Sequence, residues 1–135
     1  HIAAELVGRF KKDRSPLAGI ALTTNTSILT SLANDYGYDV VFSRQVEALG
    51  KKNDVVLGIS TSGKAKNVAL GIKQAKKMGI KTVALSGGDG GDIVKLADVS
   101  LVVPSKVTAR IQEAHITIAH IICEMIEQEL CQEQK

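Results

Sequence analysis

Three consecutive hydroxyl side chains follow a short apolar segment in the middle of the chain. Ser60, Thr61 and Ser62 come directly after the apolar run 55–59 and precede Gly63. An apolar, β-branched run of this length is typical of a strand that a parallel sheet buries on both faces. A helical pattern begins just after Gly63, and helix N-termini attract anions through their free N–H groups. The segment therefore predicts a phosphate site.

A simple helix N-cap is the alternative for this hydroxyl turn, because serine and threonine cap helices in many proteins. Three successive hydroxyls followed by glycine exceed what a cap needs, which favours anion binding. The turn is not a Walker loop, since the GxxxxGK[ST] spacing is absent.

A histidine, a glutamate and an arginine recur at four-residue intervals at the start of the chain. His1, Glu5 and Arg9 lie in a helical pattern predicted over 1–10, so the three share one helical face. A histidine and a glutamate one turn apart can ligate one metal ion or act as acid and base. Such pairs are also common on solvated faces, and that is the simpler interpretation of this segment alone.

The last predicted helix, 107–130, carries three polar residues inside an apolar stripe. They are Gln112, His115 and His120. Burying a polar side chain is costly unless it is paired. From this helix alone, hydrogen-bonded core or interface histidines are slightly favoured over ligands.

Short apolar segments alternate with amphipathic ones, which predicts the α/β class with a parallel sheet. The predicted strands are 18–23, 55–59, 81–85 and 99–103. The other predicted helices are 28–36, 40–49, 92–97 and the segment between the hydroxyl turn and Gly79. Ligands of such sheets bind at the carboxyl ends of strands, where the hydroxyl turn falls. The glycine-rich run 87–91 lacks G-x-G-x-x-G spacing and is interpreted as a flexible strand-to-helix turn.

Composition favours a single globular domain over 1–135. The chain has 44% hydrophobic and 23% charged residues, with a net charge of +3. It has neither the basic stripe of a nucleic-acid binder nor an apolar run of about 20 residues that spans a bilayer. Cys123 and Cys131 fall about 12 Å apart on one predicted helix, too far for a disulfide, which fits a reducing cytoplasm. Because the sequence starts at His1 inside a helical pattern, we expect it to be the tail of a longer one.

These segments together resemble the sugar isomerase (SIS) domain superfamily and, within it, the phosphoheptose isomerase family. The segments that carry the resemblance are 1–10, 34–38, 42–48, 58–63, 85–87 and 110–115. The hydroxyl loop is typical of the superfamily, whereas 1–9 and 110–120 are specific to the heptose branch. The resemblance covers essentially the whole chain. It implies a three-layer α/β/α, flavodoxin-like SIS domain whose N-terminal helices and first strand precede His1.

The resemblance also implies roles for individual residues. It implies one divalent ion per subunit, usually zinc, with ligands from His1, Glu5, Gln112 and His120. It implies substrate contacts from Glu5, Asn34, Asp35, Ser60, Thr61, Ser62 and Gln112. It further implies a homo-oligomer, most simply the family's tetramer. One departure is that a family serine falls on Ala65 here, which removes a hydroxyl from the phosphate site.

The activity implied by the resemblance converts sedoheptulose 7-phosphate to D-glycero-D-manno-heptose 7-phosphate. This is the first step of nucleotide-activated heptose biosynthesis for lipopolysaccharide or surface glycans. Glu5 is expected to act as the base and His120 as its partner, through an enediol. The alternative is a non-catalytic SIS module that binds a phosphosugar or a replication-initiator protein. Such a module need not keep all four metal-ligand residues, so their presence favours the enzyme.

Overall fold

The computed structural model describes residues 1–131, which fall into two compact units. One comprises His1–Ala21 with the chain from Glu113 onward, and the other is Leu22–Gln112. The helices are Ile2–Val7 (α1), Thr26–Tyr36 (α2), Val41–Leu49 (α3), Lys66–Lys77 (α4), Ile93–Leu96 (α5) and Thr108–Leu130 (α6). The strands are Val55–Ser60 (β1), Lys81–Gly87 (β2) and Val99–Val103 (β3), and a 3-10 helix, Tyr38–Val40, precedes α3. Among these residues, no helix is both long and apolar enough to cross a bilayer.

The Leu22–Gln112 unit is built on a parallel sheet with the strand order β1-β2-β3. Ser60 at the end of β1 lies opposite Ser86 of β2, and Gly87 lies opposite Val103 at the end of β3. The three carboxyl ends therefore lie along one edge of the sheet, with the hydroxyl turn at that edge. The predicted α/β class with a parallel sheet is confirmed.

Helix α4 covers one face of this sheet because its apolar residues recur at helical spacing. Ile72 and Ala75 are fully buried, whereas lysines occupy its other faces. Ile72 packs with Ala84 of β2 and with Ile93 of α5. Ala75 belongs to a second cluster with Val46 and Ile80. Burying an isoleucine side chain stabilises the fold by about 1.5–3 kcal/mol, so these clusters hold α4 against the sheet.

The prediction of a strand over 18–23 is wrong, because these residues form no strand in the structure. A strand needs a neighbour that shares its ladder of hydrogen bonds, and in the described chain the sheet comprises β1, β2 and β3 alone. The apolar composition was a misleading signal, since Ile20 is 72% exposed.

The first helix is also shorter than predicted. It ends at Val7 rather than Phe10, where Gly8 closes it by donating its N–H to the Ala4 carbonyl at 2.9 Å. Arg9 is exposed beyond that end, so the shared helical face predicted for it with His1 and Glu5 is not formed. The prediction that Cys123 and Cys131 form no disulfide is confirmed, since both are free.

Candidate active site

A histidine–glutamate–histidine cluster lies between α1 and α6. His1 precedes α1 directly, Glu5 is in the middle of that helix, and His120 is in α6. His1 Nε2 lies 3.0 Å from Glu5 Oε1 and 3.4 Å from His120 Nε2. His120 Nε2 lies 4.0 Å from the same oxygen of Glu5. Spacing pairs His1 with Glu5 in the sequence but not with His120, and the structure brings the nitrogen and oxygen atoms of all three side chains close together.

The chemistry of this cluster fits a divalent metal ion. The three ligand atoms lie within 4.8 Å of one another, and two imidazole nitrogens with one carboxylate oxygen are a ligand set that zinc accepts. Tetrahedral ligand atoms bonded to zinc at about 2.0–2.2 Å lie about 3.3–3.6 Å from each other. The separations of 3.0, 3.4 and 4.0 Å span that range.

Aromatic contacts help to orient the rings of the cluster. The His1 and His120 rings meet edge to face with centroids 5.1 Å apart. The centroid of the Phe10 ring lies 5.4 Å from that of the His120 ring. Cys123 of α6 carries a buried thiol. Burial raises its pKa, and the negative charges of Glu5 and Glu127 raise it further, so the thiol stays protonated.

The other two polar residues of α6 have different surroundings. His115 is buried at 6% exposure, in agreement with the core interpretation. Gln112 is exposed and belongs to the Leu22–Gln112 unit, and its role as a fourth metal ligand stays a prediction.

The hydroxyl turn is shaped by hydrogen bonds within the turn itself, and its hydroxyls do not cap helix α4. Gly63 donates its N–H to the Ser60 carbonyl at 3.0 Å, and Ser62 Oγ accepts the N–H of Lys64 at 3.2 Å. Helix α4 begins after Ala65, whose methyl side chain cannot cap it. Within residues 1–131, the hydroxyls of Ser60 and Thr61 form no hydrogen bond with the protein. The N-cap alternative is therefore not what the structure contains.

A cleft of about 580 Å³ opens at this edge of the sheet. Its lining includes Thr61, Ser62, Lys64, Gly88, Ser105 and Lys106. Hydroxyls, backbone N–H groups and two lysines on one cleft make an environment suited to an anion. Sequence reasoning missed Ser105 and Lys106, since they are contributed by the loop after β3 and only the strand register brings that loop here. Asn34 and Asp35 are exposed at the end of α2, and their substrate contacts stay predictions.

The glycine-rich run 87–91 packs directly against the hydroxyl turn. The Gly63 carbonyl accepts the N–H groups of Asp92 at 2.9 Å and Ile93 at 3.2 Å. A Cβ added to Gly63 would lie 1.9 Å from the Gly90 carbonyl oxygen. Ser86 Oγ donates to that same oxygen at 2.9 Å. The run thus supports the hydroxyl turn, a role that its sequence spacing did not indicate.

Sequence reasoning also missed a buried glutamate near the histidine cluster. Glu127 is 2% exposed and pairs with Arg14, whose Nε lies 3.0 Å from Glu127 Oε1. One signal was present: Glu127 follows the buried Ala119 and Cys123 at four-residue spacing, which places it on the buried face of α6.

Comparisons with known proteins agree with these observations. The SIS domain family model matches residues 1–87. The phosphoheptose isomerase of Sulfurimonas denitrificans is 60% identical over 130 residues, which are 96% of this chain and 67% of that protein. The phosphoheptose isomerase of Aquifex aeolicus is 54% identical over 132 residues, 98% of this chain and 69% of that protein.

Two solved structures are similar over nearly the whole chain. A phosphoheptose isomerase from Francisella tularensis matches with a TM-score of 0.90 at 38% identity, over 95% of this chain and 69% of that one. The enzyme from Neisseria gonorrhoeae matches with a TM-score of 0.89 at 48% identity, over 95% of this chain and 68% of that one. Family model, sequence identity and fold agree: the chain belongs to the phosphoheptose isomerase family of SIS-domain enzymes.

Proposed function

We propose that this heptose phosphate isomerase converts sedoheptulose 7-phosphate to D-glycero-D-manno-heptose 7-phosphate, the first step towards nucleotide-activated heptose for lipopolysaccharide or surface glycans. The observation that carries the proposal is the convergence of His1, Glu5 and His120 within 4.8 Å. Aldose–ketose isomerisation moves one proton between adjacent carbons and one between their oxygens, and the cluster offers both a carboxylate and imidazoles for that work.

The cleft at the hydroxyl turn is proposed to bind the phosphate of the substrate. Among residues 1–131 the hydroxyls of Ser60 and Thr61 have no hydrogen-bond partner, so both can donate to a phosphate oxygen. Thr61 lines the cleft, whereas Ser60 lies next to it in the chain and is largely buried. Asp89 neutralises the positive charge of Lys64 only weakly, because the two side chains are exposed and Lys64 Nζ lies 3.8 Å from Asp89 Oδ2. Lys64 therefore contributes attraction at the cleft, where Ala65 offers no hydroxyl.

Proton transfer is proposed to use Glu5 and His120. The carboxylate of Glu5 removes the proton alpha to the substrate carbonyl and returns it to the adjacent carbon, and His120 Nε2 moves the other proton between the two oxygens of the enediol. The 4.0 Å between Glu5 Oε1 and His120 Nε2 lets both side chains reach adjacent carbons of one substrate. The opposite assignment of the two roles is equally compatible with this distance.

A divalent ion, most simply zinc, is proposed to be held by His1, Glu5 and His120, with Gln112 as a fourth ligand. When bound, it supplies Lewis acidity that polarises the carbonyl and stabilises negative charge on oxygen. The proposal includes substrate contacts from Asn34 and Asp35, a cytoplasmic location and a homotetramer. Metal analysis and sedimentation of the full-length protein test the ion and the assembly.

Substitution of Glu5 and His120 in the full-length protein tests the catalytic assignment. Glu5→Gln and His120→Gln should each lower kcat about 10²–10⁴-fold, the usual contribution of general acid–base catalysis. Binding of the substrate, measured by calorimetry, should survive. Glu124→Gln is the matched control, because Glu124 is on the same helix but makes only an exposed ion pair with Lys11. Full activity in either cluster variant would refute the assignment.

A further inference from the structure

A buried carboxylate gathers the chain segment that follows α1. Glu127 accepts the backbone N–H of Phe10 on Oε1 at 2.8 Å. Its Oε2 accepts the backbone N–H groups of Lys11 at 2.9 Å and Lys12 at 3.0 Å. With the Arg14 guanidinium on Oε1, four donors satisfy one carboxylate that is 2% exposed. A charge buried this way is tolerated only because its partners are complete.

The same arginine caps the carboxyl end of α1. Arg14 donates from its terminal nitrogens to the Glu5 carbonyl at 2.8 Å and to the Leu6 carbonyl at 2.9 Å. The last carbonyls of a helix have no partner within it, so these bonds supply what the helix lacks. Arg14 is itself nearly inaccessible, with 5% of its side chain exposed.

Such contacts matter for helix α1 because it is short, with six residues, and has no fully buried residue. Helices this short are not stable by themselves, and their position is normally set by an apolar face packed on a neighbour. Here the pair of Arg14 and Glu127 helps to set the position of the helix.

Helix α6 places the pair and the cluster on the same side. Glu127 follows His120 by seven residues, which at 100° per residue returns to nearly the same face, about 10 Å further along. Segment 10–14 is therefore attached to α6 two turns beyond the point where His1 and Glu5 meet His120.

We propose that Arg14 and Glu127 are positioning residues that hold His1 and Glu5 against His120 and so set the affinity for the divalent ion. The inference rests on the metal centre of the proposed function. Neither residue touches the ligand atoms of the cluster. Arg14 acts through the backbone carbonyl of Glu5, and Glu127 acts through Arg14 and the N–H groups of segment 10–12.

Zinc affinity of the full-length protein tests this inference. In Glu127→Gln the amide NH₂ faces backbone N–H groups, so part of the network is lost. In Arg14→Lys the charge remains but the fork that reaches two carbonyls does not. Supporting partners of metal ligands typically contribute 10–100-fold to affinity. Both variants should therefore bind zinc at least about ten-fold more weakly in competition with a chromophoric chelator, and the visible spectrum of their cobalt forms should shift. Glu124→Gln should match the wild type in both readouts.

A purely structural role predicts a different result. It would lower the melting temperature, while the folded fraction kept its zinc affinity and cobalt spectrum. Affinity is therefore measured well below the melting temperature of every variant, with folding verified by circular dichroism. Wild-type affinity in folded Arg14→Lys and Glu127→Gln would overturn the inference, and Arg14→Lys alone decides if Glu127→Gln does not fold. A wild-type protein that bound no zinc would instead overturn the metal centre and this inference with it.

Discussion

Replacing Gly63 by alanine should distort the hydroxyl turn, where the substrate phosphate is proposed to bind. Gly63 has a φ of +66°, a left-handed conformation that side chains with a Cβ rarely adopt. The new methyl would also lie 1.9 Å from the Gly90 carbonyl oxygen and 2.5 Å from Ser86 Oγ. The first of these atoms is backbone and cannot rotate away, so the hydroxyl turn and the glycine-rich run must separate.

Gly79 offers a matched control for the conformational part of this cost. Its φ of +72° is similar, but nothing lies within 4 Å of an added Cβ. Alanine in a left-handed conformation costs about 1–2 kcal/mol, partly offset by the lower entropy of the unfolded chain. We expect Gly79→Ala to lower the free energy of unfolding by about 1 kcal/mol. Gly63→Ala should cost a further 1–3 kcal/mol or so, the usual range for overpacking.

Urea denaturation and phosphate binding together measure the effect. The free energies of unfolding should differ between the two variants by the clash alone, with unchanged m-values. Gly63→Ala can relieve the clash by moving the hydroxyl turn. In that case its affinity for inorganic phosphate should fall by up to about 100-fold, which corresponds to a loss of about 2.8 kcal/mol of binding free energy. Phosphate affinity in Gly79→Ala should equal that of the wild type. Equal stability and equal phosphate affinity in the two variants would refute the reasoning.

Two further predictions concern stability. Ile72→Ala removes a fully buried side chain from between Ala84 and Ile93 and should lower the free energy of unfolding by about 2–5 kcal/mol in urea titrations; a loss below about 1 kcal/mol would contradict the packing described. The second concerns acid. Burial alone would raise the pKa of Glu127, but backbone N–H donors and Arg14 outweigh it and lower the pKa from 4.5 to about 2. A lowered pKa in the folded state means that the stabilisation is complete above pH 4.5 and is lost as the pH falls towards 2. The stability difference between wild type and Glu127→Gln should therefore shrink over that window, and a difference independent of pH would contradict the assignment.

The sheet was predictable from sequence because its signals are local. The run 55–59 is apolar and ends in hydroxyls, and the strand forms there as Val55–Ser60. The run 18–23 has similar composition but forms no strand, since strand formation depends on a hydrogen-bonding neighbour that composition does not reveal. Local signals thus identify which segments can become strands, and pairing decides which do.

The supports of the candidate site were beyond sequence reasoning because they join distant residues. Arg14 and Glu127 are separated by 113 positions, and although helical spacing places Glu127 on the buried face of α6, nothing in the sequence pairs it with Arg14. The contact between Gly63 and Gly90 likewise depends on two loops that meet only once β1 and β2 are in register. His1, Glu5 and His120 were joined beforehand by family resemblance, and no helical periodicity links the two ends of the chain.

The carboxylate of Glu127 accepts main-chain N–H groups of Phe10, Lys11 and Lys12. These contacts limit how the segment can vary over evolution. A carboxylate that binds backbone is indifferent to which side chains that backbone carries, so substitutions there leave these three bonds intact. Proline is the exception, because it has no N–H to donate. Insertions and deletions are excluded as well, since they change which N–H groups reach the carboxylate. These three bonds therefore constrain the length of the segment but not its side chains, whereas the contact of the Phe10 ring with His120 is a separate constraint on sequence.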